Sequence, residues 1–198
     1  LSCVPGLAPV TFSARAVERV KARKGKVPSW FMDLGLVLEY WSAPGGKRTY
    51  HHTAPVNSLF ALHESLVMLK DEGLENAWAR HRLHHEALKA GFETLGLQFV
   101  VREDARLPQL NAVHVPAGVD EAGVRKQLLE KFNLEIGAGL GPLAGKVWRF
   151  GLMGYSARRE NVELCLRALA EVLSGMGQAK DQRAALAAAE SVYARPVR

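Results

Sequence analysis

Tyr50-His51-His52-Thr53-Ala54-Pro55 is the stretch around which the rest of the chain can be read. It stands between a Gly/Pro-rich loop, Pro44-Gly45-Gly46, and a long apolar-periodic segment that begins near Val56. A hydroxyl residue followed closely by proline, just ahead of such a segment, signals a helix start. The first backbone N–H groups of a helix lack internal partners, and the dipole there favours anions. Thr53 Oγ and those amides can therefore hold a phosphate, with the Tyr50 hydroxyl as a further donor. The same residues also fit a plain capped surface helix carrying two adjacent histidines, and the pattern alone leaves both readings open.

Downstream, residues 56–69 read as that helix, with Leu59, Leu62, Leu66 and Leu69 on one face and Gly73 suited to its C′ position. A second helix carries the most periodic stripe of the chain: Leu74, Trp78, His81, His85, Leu88, Phe92 and Leu95 recur at steps of four and three. Beyond it the period changes. Residues 97–101, 111–115, 134–136 and 146–152 are strand candidates. Asp120 and Ser156 are positioned to cap helices whose inward sides use Val124, Leu128, Leu129 and Phe132, and Val162, Leu166, Leu169 and Val172. The resulting order β-β-α-β-β-α implies a small α+β layer with helices on one face. The alanine-rich segment 178–193 is helix-prone, either packed as an added helix or frayed. Upstream, residues 8–12 can form a short strand, Ser13 caps a helix reaching about Lys21, and residues 30–41 form a short aromatic helix. No internal repeat is visible.

The composition, 48% hydrophobic and 23% charged over 198 residues, is that of a globular protein. No apolar run reaches membrane-spanning length, so no membrane partner is expected. Two cysteines, Cys3 and Cys165, make no disulfide framework and favour a reducing compartment. Residues 1–9 carry no basic leader before their apolar residues, so the expected location is cytoplasmic. The net charge of +6 is partly local, in Arg15, Arg19, Lys21, Arg23, Lys24 and Lys26. No zinc-finger, RNA-binding or basic-zipper spacing accompanies it, so a solvated face is expected and nucleic acid is not. The charge equally suits an enzyme of anionic small molecules.

Arg149 is the leading candidate for chemistry. It lies in Val147-Trp148-Arg149-Phe150-Gly151-Leu152, among apolar strand residues. Such an arginine either snorkels from an edge or turns to meet a carboxylate, whose two oxygens its planar fork can hold. The loop Gly137-Ala138-Gly139-Leu140-Gly141-Pro142 lets backbone approach a ligand or simply connects strands. It is no dinucleotide fingerprint or P-loop. His81 and His85 are one turn apart but lack the His-Glu-x-x-His order, so no metal is expected. No serine or cysteine nucleophile motif occurs, and Cys165 belongs to a helix interior.

Taken together, Leu1-Ser2-Cys3-Val4-Pro5-Gly6, the Tyr50 to Pro55 stretch, Glu72-Gly73-Leu74-Glu75-Asn76-Ala77-Trp78, Gly139-Leu140-Gly141-Pro142, Gly145-Lys146-Val147-Trp148-Arg149-Phe150-Gly151-Leu152 and Arg159-Glu160-Asn161-Val162 resemble the C-terminal half of a class V pyridoxal-phosphate aminotransferase of the alanine–glyoxylate (serine–pyruvate) group. The resemblance covers residues 1–173. It implies an α/β chain of the PLP-dependent transferase fold type I: residues 1–73 complete the large cofactor domain, 74–176 form a small α+β C-terminal domain begun by a long helix, and 177–198 are a C-terminal extension. It implies a homodimer with shared active sites, in which Tyr50 and Thr53 bind the pyridoxal 5'-phosphate phosphate of the neighbouring subunit. Arg149 would clamp the α-carboxylate of small amino acids and 2-oxo acids. The Schiff-base lysine falls two positions before Leu1, so the catalytic anchor is expected in a missing N-terminal half, and this half alone is expected to be inactive. Val4 and Trp148 depart from the family pattern, and Pro196-Val197-Arg198 is no peroxisomal address. The implied reaction moves an amino group between alanine or serine and glyoxylate or pyruvate. The alternatives are another class V activity, on 3-hydroxykynurenine, aspartate or aminoethylphosphonate, or a non-enzymatic helical dimerisation or nucleic-acid-binding module resting on the stripe and the basic excess.

Overall fold

Gly73, at φ 85°, breaks what would otherwise be one very long helix. In the computed structural model, which describes residues 1, 3–41 and 49–195, α3 (Val56–Glu72) ends there and α4 (Leu74–Thr94) begins. The Pro44–Lys47 loop and the Pro196–Arg198 terminus read from sequence lie outside the described residues, as does Ser2. The chain divides into two compact units, Cys3–Glu64 and Ser65–Arg198, with Leu1 and Ser2 grouped with the second.

In the first unit, α1 (Ala14–Lys21) is capped as expected: Ser13 accepts a hydrogen bond from the Ala16 amide at 3.3 Å. α2 (Leu34–Trp41) starts later than the aromatic run suggests, because Asp33 takes the Gly35 amide at 2.9 Å and opens the helix there. Residues 8–12 form no strand; within the described residues of the unit they meet no partner backbone.

The second unit is built on a three-stranded antiparallel sheet of order β1–β3–β2, with β1 at Leu110–His114, β2 at Gly137–Ala138 and β3 at Val147–Gly151. α5 (Glu121–Phe132), α6 (Arg159–Gly175) and α7 (Gln182–Tyr193) complete it. Alternation along β3 sends Trp148 and Phe150 to one face. There the Trp148 indole donates to the Glu121 carbonyl of α5 at 3.2 Å, and Phe150 meets Phe92 of α4 edge-on at 4.8 Å. Leu88, Val124, Leu128, Leu166 and Leu169 fill the space between sheet and helices. The expected layer of helices over one face is therefore present.

Three local expectations need correction. Residues 97–101 do not form a strand: Phe99 makes one bridge to Val113, flanked by bonds between Val100 and Ala112 and between His114 and Gln98. The turn at Gly96 (φ 71°) and the helical turn at Glu103–Ala105 leave too little chain between them for a longer ladder. Residues 134–136 are not a strand either. Asn133, at φ 50°, closes α5 with its own amide on Leu129 and the Leu134 amide on Leu128, so pairing starts only at Gly137. Ser156 does not cap α6; it ends a short turn at Gly154–Ser156, and the helix begins after Arg158.

The stripe on α4 is also wider than its large residues suggest. Leu88, Phe92 and Leu95 are buried, but Leu74 and Trp78 are exposed. The helix buries a second side through Ala77, His84, Ala87 and Gly91. α7 packs on α4 and α6 through Ala185, Ala189 and Val192, small side chains that allow close approach. The alanine-rich segment is thus an added helix. The Tyr193 hydroxyl and His84 Nδ1 share a hydrogen bond at 2.9 Å, and Arg159 pairs with Glu190.

Gly91 admits α6: a Cβ there would come within 2.4 Å of both Leu166 methyl carbons. Gly91→Ala is expected to lower stability by roughly 1 kcal/mol net, because overpacking of about 1–3 kcal/mol outweighs a helix-propensity gain of about 1 kcal/mol; urea unfolding measures it. A second expectation concerns acid. Burial, then the Arg80 charge, holds the His84 imidazole below its ordinary value of 6.5. The unfolded chain therefore takes up this proton first as pH falls. The contribution of neutral His84 is complete above pH 6.5 and is lost as pH falls below that value. His84→Asn should flatten this part of the pH dependence of the urea midpoint, and an unchanged dependence would contradict the assignment.

Candidate active site

His51 anchors the stretch from Tyr50 to Pro55. Among the described residues of the first unit it is the buried one, 3% exposed. Its ring stacks on Trp30 with centroids 4.1 Å apart, and its Nε2 lies 3.1 Å from the Trp30 carbonyl. A carbonyl only accepts, so His51 Nε2 carries the proton. Its Nδ1 shares a hydrogen bond with His52 Nδ1 at 2.7 Å. The two histidines thus form a chain from the loop into the backbone of Trp30. They hold Tyr50 and Thr53 in place on either side.

Tyr50 Oη and Thr53 Oγ1 lie 2.5 Å apart, and both residues are exposed. Thr53 is not the helix cap expected of it. α3 starts at Val56, the first helical bond runs from the Leu59 amide to the Pro55 carbonyl at 3.0 Å, and the Val56 amide bonds Ala54. The amides of Asn57 and Ser58 lie in the first turn, where helix geometry supplies no acceptor. Two convergent hydroxyls beside a helix start fit the terminal oxygens of a phosphate group.

Arg149, in the other unit, sits at the middle of the central strand β3. Trp148 and Phe150 occupy the helix-covered face, so Arg149 takes the opposite one. Its register partners are Ala112 on β1 and Gly137 on β2, the smallest side chains available. The guanidinium lies across Gly137: a Cβ there would be 3.3 Å from Nη2 and 3.4 Å from Nε. Nε donates to the Ala138 carbonyl at 2.7 Å, which fixes the plane of the fork. Among the described residues the two Nη atoms have no hydrogen bond or ion-pair partner. A half-buried fork held at one nitrogen, with its outer edge unpaired among the described residues, has the shape to take both oxygens of a carboxylate.

The rest of the glycine loop serves its own fold. A Cβ at Gly139 would lie 2.0 Å from the Leu143 carbonyl, so this glycine admits the turn at Gly141–Leu143. His81 and His85 are each committed to protein partners: His81 Nδ1 to the Ala77 carbonyl at 2.6 Å, and His85 Nδ1 to Asn111 Oδ1 at 2.6 Å. Burial pushes the Cys165 thiol up to about 12, which leaves it inert at neutral pH. Sequence reasoning missed His51 and Gly137. The proximity of Trp30 to His51 and the register of Gly137 with Arg149 are products of folding and leave no local signal.

No family model matches the chain. Among curated proteins it is 42% identical over 174 residues to alanine–glyoxylate aminotransferase of Callithrix jacchus, covering 87% of this chain and 42% of that protein. It is 37% identical to (S)-ureidoglycine–glyoxylate transaminase of Bacillus subtilis, covering 98% of this chain and 50% of that protein. Among solved structures, the Bacillus subtilis ureidoglycine–glyoxylate aminotransferase superposes with a TM-score of 0.86 at 38% identity over 93% of this chain and 47% of that one. An alanine–glyoxylate aminotransferase from Nostoc sp. does so at 0.79 and 46%, over 86% of this chain and 45% of that one. The chain spans about half the length of the curated relatives it matches. Its fold is that of the PLP-dependent aminotransferases of fold type I. Over the length it covers, the chain is similar to class V aminotransferases, relatives whose names give glyoxylate as a substrate.

Valine is ordinarily the better strand residue than glycine. Gly137→Val is nonetheless expected to destabilise the protein by about 0.5–1.5 kcal/mol, the worth of the bond from Arg149 to Ala138 that it displaces. A gain in urea midpoint would show that Arg149 does not lie across this position.

Proposed function

We propose that the whole protein is a pyridoxal-phosphate aminotransferase that moves an amino group between alanine or serine and glyoxylate or pyruvate. The observation that carries this reading is the unpaired fork of Arg149, seated over Gly137 and fixed by Ala138. Glyoxylate, the acceptor named in relatives on both sides of the comparison, has no side chain, so its carboxylate is the chief handle for recognition. A planar bidentate cation meets that need, and the same fork holds the α-carboxylate of the amino donor.

The residues described suit the cofactor. Tyr50 and Thr53 would hold its phosphate through their two hydroxyls, with the start of α3 adding favourable amide dipoles. When bound, the cofactor supplies the electron sink that stabilises negative charge at the substrate Cα. The chain's own part is orientation: Arg149 fixes one end of the substrate, and the His51–His52 chain keeps the phosphate-binding hydroxyls in register.

Within this proposal the protein is a homodimer with shared sites, Tyr50 and Thr53 serving the neighbouring subunit. The Schiff-base lysine lies two positions before Leu1. Residues 1–73 belong to the large cofactor domain, 74–176 to the small domain and 177–198 to an extension. Among the described residues no helix is long and apolar enough to cross a membrane. The free thiols of Cys3 and Cys165 suit a cytoplasmic location.

The test uses the complete protein. Arg149→Ala should lower kcat/KM for alanine with glyoxylate by roughly 100-fold, since two charge-assisted hydrogen bonds at about 1.5 kcal/mol each are lost. Its visible cofactor absorbance should persist. Tyr50→Phe combined with Thr53→Val should instead release cofactor on dialysis. Wild-type kcat/KM in the Arg149 variant would defeat the assignment.

A further inference from the structure

One side chain joins the end of α3 to the turn that follows β3. Arg80, on α4, binds Glu72, the last residue of α3, through two nitrogens: Nε to Oε1 at 2.5 Å and Nη2 to Oε2 at 2.8 Å. Its remaining Nη1 reaches the other way and donates to the carbonyls of Gly154 at 2.8 Å and Ala157 at 2.9 Å. Those carbonyls belong to the turn that follows β3 and precedes α6. The next residue, His81, completes the grip. Its Nδ1–H donates to the Ala77 carbonyl, so its Nε2 is an acceptor, and it takes the Gly154 amide at 2.9 Å. Gly154 is thereby held by both its N–H and its C=O, in a left-handed conformation (φ 53°) that favours glycine.

This arrangement exceeds what an ordinary ion pair requires. Arg125 and Glu121 form a comparable two-nitrogen pair, but inside one helix. The Arg80 pair spans the Gly73 break and joins three elements. β3, which carries Arg149, ends three residues before Gly154.

We propose that Arg80 is a positioning residue, which together with Glu72 and His81 ties the end of α3 to the turn after β3 and so sets where Arg149 stands for the reaction. The inference rests on the role given above to Arg149. Arg80 itself touches neither substrate nor cofactor in this scheme. Its neutral replacement would keep most of the volume and lose the two-nitrogen grip on Glu72 together with one or both carbonyl bonds.

The test compares Arg80→Gln, Glu72→Gln and Gly91→Ala in the complete protein, the last as a variant that loosens the core away from the tie. Arg80→Gln should raise KM for the amino donor at least roughly tenfold while kcat changes less than about threefold. Amide exchange of segments 68–74 and 153–158 should accelerate by about tenfold, and Glu72→Gln should do the same in weaker form. Gly91→Ala should lower the melting temperature without that KM shift or that local exchange pattern. The proposal is overturned if exchange in the two segments is unchanged in Arg80→Gln. It is equally overturned if the change in KM matches that of Gly91→Ala at equal loss of melting temperature. A wild-type protein without transaminase activity would refute the proposed function, and the exchange measurements would still decide the tie.

Discussion

Strand β3 has one residue too polar for the layer it belongs to, and the pleat of the sheet resolves the conflict. Trp148 and Phe150 must share a face, and that face is claimed by α4 and α5. Arg149 is left on the other side, where a lysine would swing free and an aliphatic side chain would waste an unlined surface. What seats it is the small size of its neighbours across the ladder. Ala112 and Gly137 leave room for the guanidinium to lie flat, and Ala138 takes one of its donors. A shift of one residue in the pairing of β2 would place the Ala138 methyl group where Gly137 now leaves space.

The helical layer obeys a related rule. α4 faces the sheet with Leu88, Phe92 and Leu95, and turns a flank of small and imidazole side chains to α6 and α7. Gly91 lets Leu166 approach closely, and alanines on α7 do the same from the far side. The polar members of that flank are all engaged. His84 meets Tyr193, His85 meets Asn111, and His81 meets both Ala77 and Gly154. Three buried imidazoles on one helix are tolerable because each has at least one ring nitrogen bonded within the protein, and a buried polar group without a partner forfeits its hydration without return.

The described residues show how each candidate group is stiffened. The hydroxyls of Tyr50 and Thr53 follow an imidazole chain that ends on the Trp30 backbone. The Arg149 fork depends on a glycine and a carbonyl of the edge strand. Both are cases of side-chain groups held by backbone, the stiffest partner a protein offers.

Much was legible before folding was considered. Ser13 as a cap, Gly73 as a helix end, the apolar side of α6 and the strand around Arg149 follow from local chemistry, because capping, backbone freedom and periodicity act within a few residues. Strand limits failed at 97–101 and 134–136, since a ladder exists only where turns leave enough chain to pair. Ser156 failed as a cap because neighbouring backbone groups drew it into a turn. Gly137 under Arg149, His51 on Trp30, and Arg80 between Glu72 and Gly154 belong to the tertiary structure alone. Each joins residues separated by a turn, a loop or most of the domain, and no local pattern records a contact that only the closed fold brings into being.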